Sequence, residues 1–212
     1  MKVWIIVFIV GVLALVVWQL KYTLLIGIKE PVYTAQKKEG YELRTYLPYI
    51  TASVTVPGAH GVAANEGFRI LAGYIFGNNS AKTSLPMTTP VLQESSVPVK
   101  LAMTVPVLIG EGAQENEHRV SFVMPAEYTL ENLPRPNDTR IVIESQPKKR
   151  VAAYRFGWYP TVGRIESHKK TFAALLARDG VRTHGVMIVA RYNPPWVLPF
   201  LLRNELLIEV QE

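Results

Sequence analysis

Four histidines, five methionines and no cysteine make up the chain's soft-donor chemistry. Thiolate catalysis, disulfides and cysteine-based metal sites are therefore excluded. The histidines are scattered at His60, His118, His168 and His184, with no His-Glu-x-x-His pair among them. A phosphate-cradling glycine motif and a nucleophile elbow are also missing, so no catalytic residue is expected. The methionines are better organised. Met87-Thr-Thr-Pro-Val-Leu92 is echoed by Met103-Thr-Val-Pro-Val-Leu108, two β-prone phrases whose prolines suit sheet edges or bulges.

These phrases follow a helical pattern. Ala64, Phe68, Leu71, Ala72 and Ile75 recur at the spacing of one helix face, and Gly77 with Asn78-Asn79 supplies residues that close a helix. The helix face and the two methionine strands describe one wall of an apolar pocket. They equally describe an ordinary core, since methionine commonly fills gaps.

The elements needed to position that wall come in two rounds. Ile50, Ala52, Val54 and Val56 alternate with polar residues in a half-buried strand, preceded by the strand Tyr41–Tyr46. After the helix and the methionine phrases, Val120, Phe122 and Met124 alternate in a further strand. The second round comprises a hairpin over Arg140–Ser145 and Arg150–Phe156 and a helix over Val162–Arg178 with Ile165, Phe172 and Leu176 on one face. Strands at Val186–Tyr192 and Glu205–Val210 close it. This is a duplicated βαββ pattern in the α+β class, and two such halves can pair into a distorted antiparallel β-barrel with two helices outside.

The N-terminus differs from the rest. Val3 to Trp18 contains no polar side chain, and Leu20 extends the run past Gln19. Eighteen helical residues span roughly 27 Å, enough to cross a hydrocarbon core. Trp4, Trp18 and Tyr22 lie at its ends, as interfacial aromatics would. Val16–Lys21 offers no small-x-small cleavage site. Residues 1–22 are therefore expected to form an uncleaved transmembrane anchor that meets lipid through residues 3–20. Residues 23–40 are expected to be a juxtamembrane linker and 41–212 the folded domain. The very short tail before the span favours an extracytoplasmic domain. Net charge is +6, but Lys148-Lys149-Arg150 and His168-Lys169-Lys170 are short groups. They suit a solvated face or anionic headgroups rather than nucleic acid.

Several phrases occur in a fixed order: Tyr41-Glu-Leu-Arg44-x-Tyr46, Gly67-Phe-Arg-x-Leu-Ala-x-Tyr74-Ile75, Met-Thr-x-Pro-Val, Val120-Ser-Phe-Val-Met-Pro125, Arg191-Tyr-Asn-Pro-Pro195 and Arg203-Asn-Glu205. Together they resemble the SOUL family of haem-binding proteins over about Tyr33 to Val210. The resemblance implies a distorted barrel of duplicated βαββ units, related to effector-binding domains of bacterial regulators. It also implies reversible binding of haem or another tetrapyrrole in an apolar groove beside the first helix. Phe68, Leu71, Ala72, Ile75, Met87 and Met103 are the residues expected to contact it.

The chain departs from the family pattern at functional positions. Thr45 stands where some members carry a histidine, and Gly73 and Val197 stand where haem-binding members carry lysines. The expected complex is therefore held by apolar contact, without a strong axial ligand or a metal site of its own. A binding module for another apolar or cationic small molecule, and an accessory subunit docking onto a membrane protein complex, are the alternatives.

Overall fold

The computed structural model describes residues 2–23, 29–95, 117–194 and 196–211. The helix α1 (Lys2–Thr23) precedes strands β1 (Tyr33–Lys37), β2 (Glu42–Tyr46) and β3 (Tyr49–Pro57), then helix α2 (His60–Ile75). Strands β4 (Val91–Ser95), β5 (Glu117–Val123), β6 (Val142–Gln146) and β7 (Lys149–Phe156) follow. Helix α3 (Val162–Arg178), strand β8 (Thr183–Arg191), a 3-10 turn (Pro199–Leu201) and β9 (Asn204–Val210) complete the order.

All nine strands among the described residues belong to one sheet, in the order β1-β2-β7-β9-β8-β4-β5-β3-β6, and every pairing is antiparallel. With β1 set aside, the order is symmetric about the β8–β4 pair. Strands β2, β7, β9 and β8 on one side correspond to β6, β3, β5 and β4 on the other. This is the duplication expected from the sequence. Strands β2 and β3 are nearly at opposite ends of the sheet, yet Leu47 and Pro48 alone join them; Pro147 and Lys148 alone join β6 to β7. Two such short connections force the sheet to curl until its ends approach at one rim. The result is a half-barrel rather than a hydrogen-bonded closed barrel, because β1 covers the free edge of β2.

Helices α2 and α3 lie on the convex side. On one half Ala63, Ile70, Leu71, Tyr74 and Ile75 of α2 pack on Ala52, Val54, Val56, Val120 and Phe122. On the other, Ile165, Phe172 and Leu176 of α3 pack on Leu43, Ala152, Leu206 and Ile208. The concave side has its own smaller cluster of Tyr46, Val151, Ala153, Ala190, Tyr192 and Leu207. The end of α2 follows the expected signals: Gly77 takes φ +111°, and the buried Asn79 amide donates to the carbonyls of Tyr74 (3.0 Å) and Thr83 (2.7 Å).

Two expectations need correction. The stretch 23–40 is not all linker, because Tyr33–Lys37 forms β1 in register with β2. As an edge strand with four of five residues exposed, it lacks the apolar alternation that marks a half-buried strand. The first methionine phrase is strand only from Val91 on. Pro86 and Pro90 have no N–H to give a ladder, and the intervening Thr88 hydroxyl and Thr89 N–H bond instead to Val123 O and Lys29 O. The second phrase, Met103–Leu108, lies outside the described residues.

Helix α2 approaches the sheet closest at Gly67. A Cβ there would stand 2.5 Å from Val120 Cγ2 and 2.7 Å from its Cβ. Gly67→Ala is expected to force α2 off β5 and to cost about 1–3 kcal/mol by overpacking, despite alanine's better helix propensity. Urea denaturation of the two proteins measures this, and a more stable alanine variant would contradict the close packing.

Candidate functional site

Three of the ordered sequence phrases converge on one buried carboxylate. Glu205, in β9, is fully buried beneath the otherwise apolar run Leu206-Leu207-Ile208. Arg44 of β2 reaches it with two N–H groups, Nη1 to Oε2 at 2.6 Å and Nη2 to Oε1 at 3.0 Å. Tyr192 donates its hydroxyl to Oε2 at 2.6 Å, and Arg203 Nε donates to Oε1 at 3.0 Å. Arg203 in turn grips Glu30 at 2.8 and 3.2 Å, and Arg44 Nε donates to Glu42 at 2.9 Å. Its guanidinium lies over the Tyr33 ring, while that of Arg203 stacks 3.7 Å from the Tyr192 centroid.

Burial alone would raise the Glu205 pKa, but the hydrogen bonds and charges of Arg44 and Arg203 outweigh it and hold the carboxyl below its usual range. Burial pushes Tyr46 up to about 12 and Tyr192 well above its ordinary value, the latter reinforced by Glu205. Both therefore stay neutral phenols near pH 7. Every charge in this cluster already has its partner, so it holds strands together rather than offering a free anion or cation to a ligand. Arg44, an available cation by sequence, is committed here.

Cavities lie on both faces of the sheet. The concave groove has a volume of about 350 Å³ and is lined by Tyr49, Leu92, Ile188, Lys149, His184 and Glu209, among others. Its charges are also internally matched: Lys149 and His184 contact Glu209 at 3.0 and 3.1 Å, and Arg119 pairs with Glu144. A smaller cavity, about 170 Å³, lies on the convex side against α3. Gln93 and His118 on β4 and β5 and Met187 and Val189 on β8 form its floor, with Val162, Ile165, Glu166 and Lys169 of α3 as one wall.

Helix α2 packs on β3 and β5, on the other half of the same face. Phe68 stands over β5, its ring edge-on to Phe122 at 5.3 Å. Phe122 pairs with Val91 of β4, two residues from Gln93 in the cavity floor. Phe68 thus stands on the same face of the sheet as that cavity, over the strand next to β4, while the cavity itself is lined by β4, β5, β8 and α3. Phe68 is 40% exposed, whereas Leu71 and Ile75, on the same predicted face, are sealed in the core at 0% and 1%. Met87 is half-buried and packs against that core. The structure therefore divides the predicted contact set. Phe68, Ala72 and Met87 retain accessible surface, Leu71 and Ile75 support them from below, and Met103 lies outside the described residues.

The family-specific positions sit apart from this flank of α2. Thr45 pairs with Arg150 and Thr34 on the outer surface of the sheet, in a shallow polar depression with Lys148. Val197 is buried, and Gly73 faces open space, where a Cβ would meet nothing within 4 Å. Arg69 is exposed and clamped on Glu66 at 2.6 Å. His168 is wedged against Phe156 (4.6 Å between centroids) and hydrogen-bonded to Tyr154 at 3.2 Å; desolvation, with Arg164, lowers its pKa. His60 is the first residue of α2.

Sequence reasoning missed His118 and Met187 as members of one cavity. Strand alternation places His118 on the convex face with Val120 and Phe122, but the pairing of β4 with β8 that brings Met187 beside it has no local signal. Desolvation lowers the His118 pKa, so its imidazole is neutral at pH 7. Among the described residues, no three His, Asp or Glu side chains gather as a metal-ligand set.

The model of one protein family, described as SOUL heme-binding protein, matches residues 28–209. No curated protein matches the chain significantly. Among solved structures, the EcmrR C-terminal domain aligns at TM-score 0.56 with 10% identity, over 85% of this chain and 99% of that one. A hydrolase from Listeria innocua aligns at TM-score 0.54 with 8% identity, over 83% and 94%. A further, uncharacterized conserved protein from Listeria innocua gives 0.52 with 11% identity, over 82% and 93%. At such identities the likeness is one of fold.

Removing the central carboxylate tests the cluster. Glu205→Gln leaves two buried guanidiniums undercompensated and should lower stability by about 3–5 kcal/mol. Because the folded pKa is depressed, Glu205 contributes fully above the unfolded value of about 4.3, and that contribution is lost as pH falls through the folded value. Urea titrations from pH 7 to pH 3 should show a stability gap between wild type and variant that narrows on acidification. A gap independent of pH would show that the charge of Glu205 is not what holds the cluster.

Proposed function

The chain belongs to the SOUL heme-binding family, and we propose that it is a membrane-tethered binding protein for haem or a related tetrapyrrole. The tetrapyrrole is held reversibly along the Phe68 flank of α2, mainly by apolar contact. Membership in a family of binding proteins supports binding rather than catalysis. The observation that carries the placement is Phe68, a large ring left 40% exposed on the stripe of α2 whose next large members, Leu71 and Ile75, are sealed. Packing alone gives no reason to leave it open.

The size of the adjacent cavity sets the mode of binding. About 170 Å³ is below the roughly 300 Å³ at which ordinary ligand pockets begin. A tetrapyrrole therefore does not enter whole; it inserts an edge and lies against Phe68, Ala72 and Met87. Partial burial yields partial hydrophobic gain, at roughly 25 cal/mol per Å² before association costs, which suits a carrier that must release its cargo. Lys169 at the cavity wall is paired with Glu166 at 2.8 Å, so a propionate reaching it would have to compete with that carboxylate.

The tether in this reading is α1, the one helix among the described residues long and apolar enough to cross a membrane. We read residues 1–22 as an anchor, with the domain on the extracytoplasmic side. Residues 23 to 28 would then be the whole of the linker, because the chain is tied to the domain from Lys29 on: Lys29 bonds Glu127, and Glu30 bonds Arg203.

A second reading is favoured by one observation, the presence of neutral His118 and Met187 in the same cavity: one of them ligates the iron directly. Comparative titration separates the two. Without an axial bond, iron-free protoporphyrin binds within about tenfold of haemin, a difference of about 1.4 kcal/mol. Phe68→Ala should weaken both by a similar factor while costing well under the 3–5 kcal/mol expected of a fully packed phenylalanine. Haemin binding that is far tighter and collapses in His118→Ala would assign axial ligation instead. Unchanged affinity in Phe68→Ala would remove the α2 flank from the site.

A further inference from the structure

The tetrapyrrole site makes no use of the loops at the end of the sheet nearest α1. Trp158, Tyr159, Trp196, Leu198 and Phe200 are each between 40% and 60% exposed, an unusual concentration of large apolar side chains for a water-facing surface. They come from two loops tied into one platform. The Trp158 N–H donates to Pro199 O at 3.0 Å, and the Asn204 side-chain amide donates to Trp158 O at 2.8 Å. Trp158 takes φ +67°, a conformation unfavourable for a bulky residue, so the platform over-determines its position. The Arg164 guanidinium lies 5.8 Å from the Trp158 ring centroid.

Helix α1 fixes where this platform sits. Gln19, one residue before the end of the apolar span Val3–Leu20, is buried against it. Its Nε2 donates to Trp196 O at 3.3 Å, and its Oε1 accepts the Leu198 N–H at 3.2 Å. A residue at the end of a membrane-spanning helix lies at headgroup depth. The loop it grips must lie at the same depth. Tryptophan, tyrosine and arginine are the residues that zone favours, with an apolar body and a polar tip.

We propose that the Trp158–Tyr159 and Trp196–Phe200 loops are a lipid-contact surface, seated in the interfacial layer of the bilayer that α1 crosses and clamped to it by Gln19. The domain thereby rests on the membrane in one orientation instead of swinging on its tether, which leaves the α2 flank to one side of the contact. The proposal rests on reading α1 as an anchor, and the test keeps the two apart.

Full-length protein would be reconstituted into vesicles of phosphatidylcholine and phosphatidylglycerol, in two single-tryptophan forms. One retains only Trp158 and the other only Trp196, the remaining tryptophans being replaced by Phe. Lipids carrying a nitroxide at the headgroup should remove about half of the emission from each, and lipids labelled near the bilayer centre much less, as interfacial indoles require. Emission quenched by aqueous iodide and untouched by either lipid would overturn the proposal and mark the surface as one that faces water or a protein partner. Carbonate washing reads the anchor separately. Protein that washes off the vesicles would defeat the anchor and this proposal together, whereas protein that is retained yet unquenched would defeat only the proposal.

Discussion

A carboxylate taken out of water must be surrounded by cations and donors, and that requirement at Glu205 organises this molecule. Its partners come from β2, from the residue after β8 and from the residue before β9, with Arg203 extending the network to Glu30 ahead of β1. Losing any one partner leaves a desolvated charge, which is far costlier than the net worth of the intact group. Strands β2, β8 and β9 and the N-terminal segment are therefore fixed relative to one another by a single site. Three of the family's recognisable phrases serve this purpose, which explains why their residues are not at the proposed ligand site.

Ligand placement follows from the same constraint. The concave side, where a half-barrel would ordinarily receive a guest, is occupied by the Glu205 cluster and the tyrosines around it, and its remaining groove is lined by matched ion pairs. The convex side is covered by α2 and α3 over the outer parts of the two halves. It is left less covered where β8 meets β4, at the symmetry axis of the duplication. Ile165 of α3 borders that gap with His118 and Met187 beneath it, and Phe68 of α2 stands over β5 on the other half. Duplication thus generates that gap as a by-product of sheet pairing.

Much of this was legible in the residues. The alternation at Ile50–Val56 and the apolar periodicity of Val162–Arg178 locate strand and helix because one face of each is buried and the other is not. Strand β1 was hidden because an edge strand exposes most of its side chains and so carries no alternation. The division of the α2 face was hidden for a different reason. Phe68, Leu71 and Ile75 share one helical stripe, and only the position of β5 decides that Leu71 and Ile75 fall inside the seam while Phe68 falls at its edge. The Arg44–Glu205 pair spans 161 residues of sequence, and each of its strands carries a second charged residue, Glu42 in β2 and Glu209 in β9, so nothing local marks which charges are buried together.

The side of the sheet on which a tetrapyrrole binds can be read from ring-current shifts. In protein labelled at methionine, leucine and isoleucine methyls, iron-free protoporphyrin should move Met87 and Met187, which border the convex cleft and the α2 core. Leu92, Ile188 and Leu207, which face the concave side, should keep their positions. Large shifts at Leu92, Ile188 and Leu207 with Met87 and Met187 undisturbed would place the ligand in the concave groove and contradict the view that the Glu205 cluster reserves that side for structure.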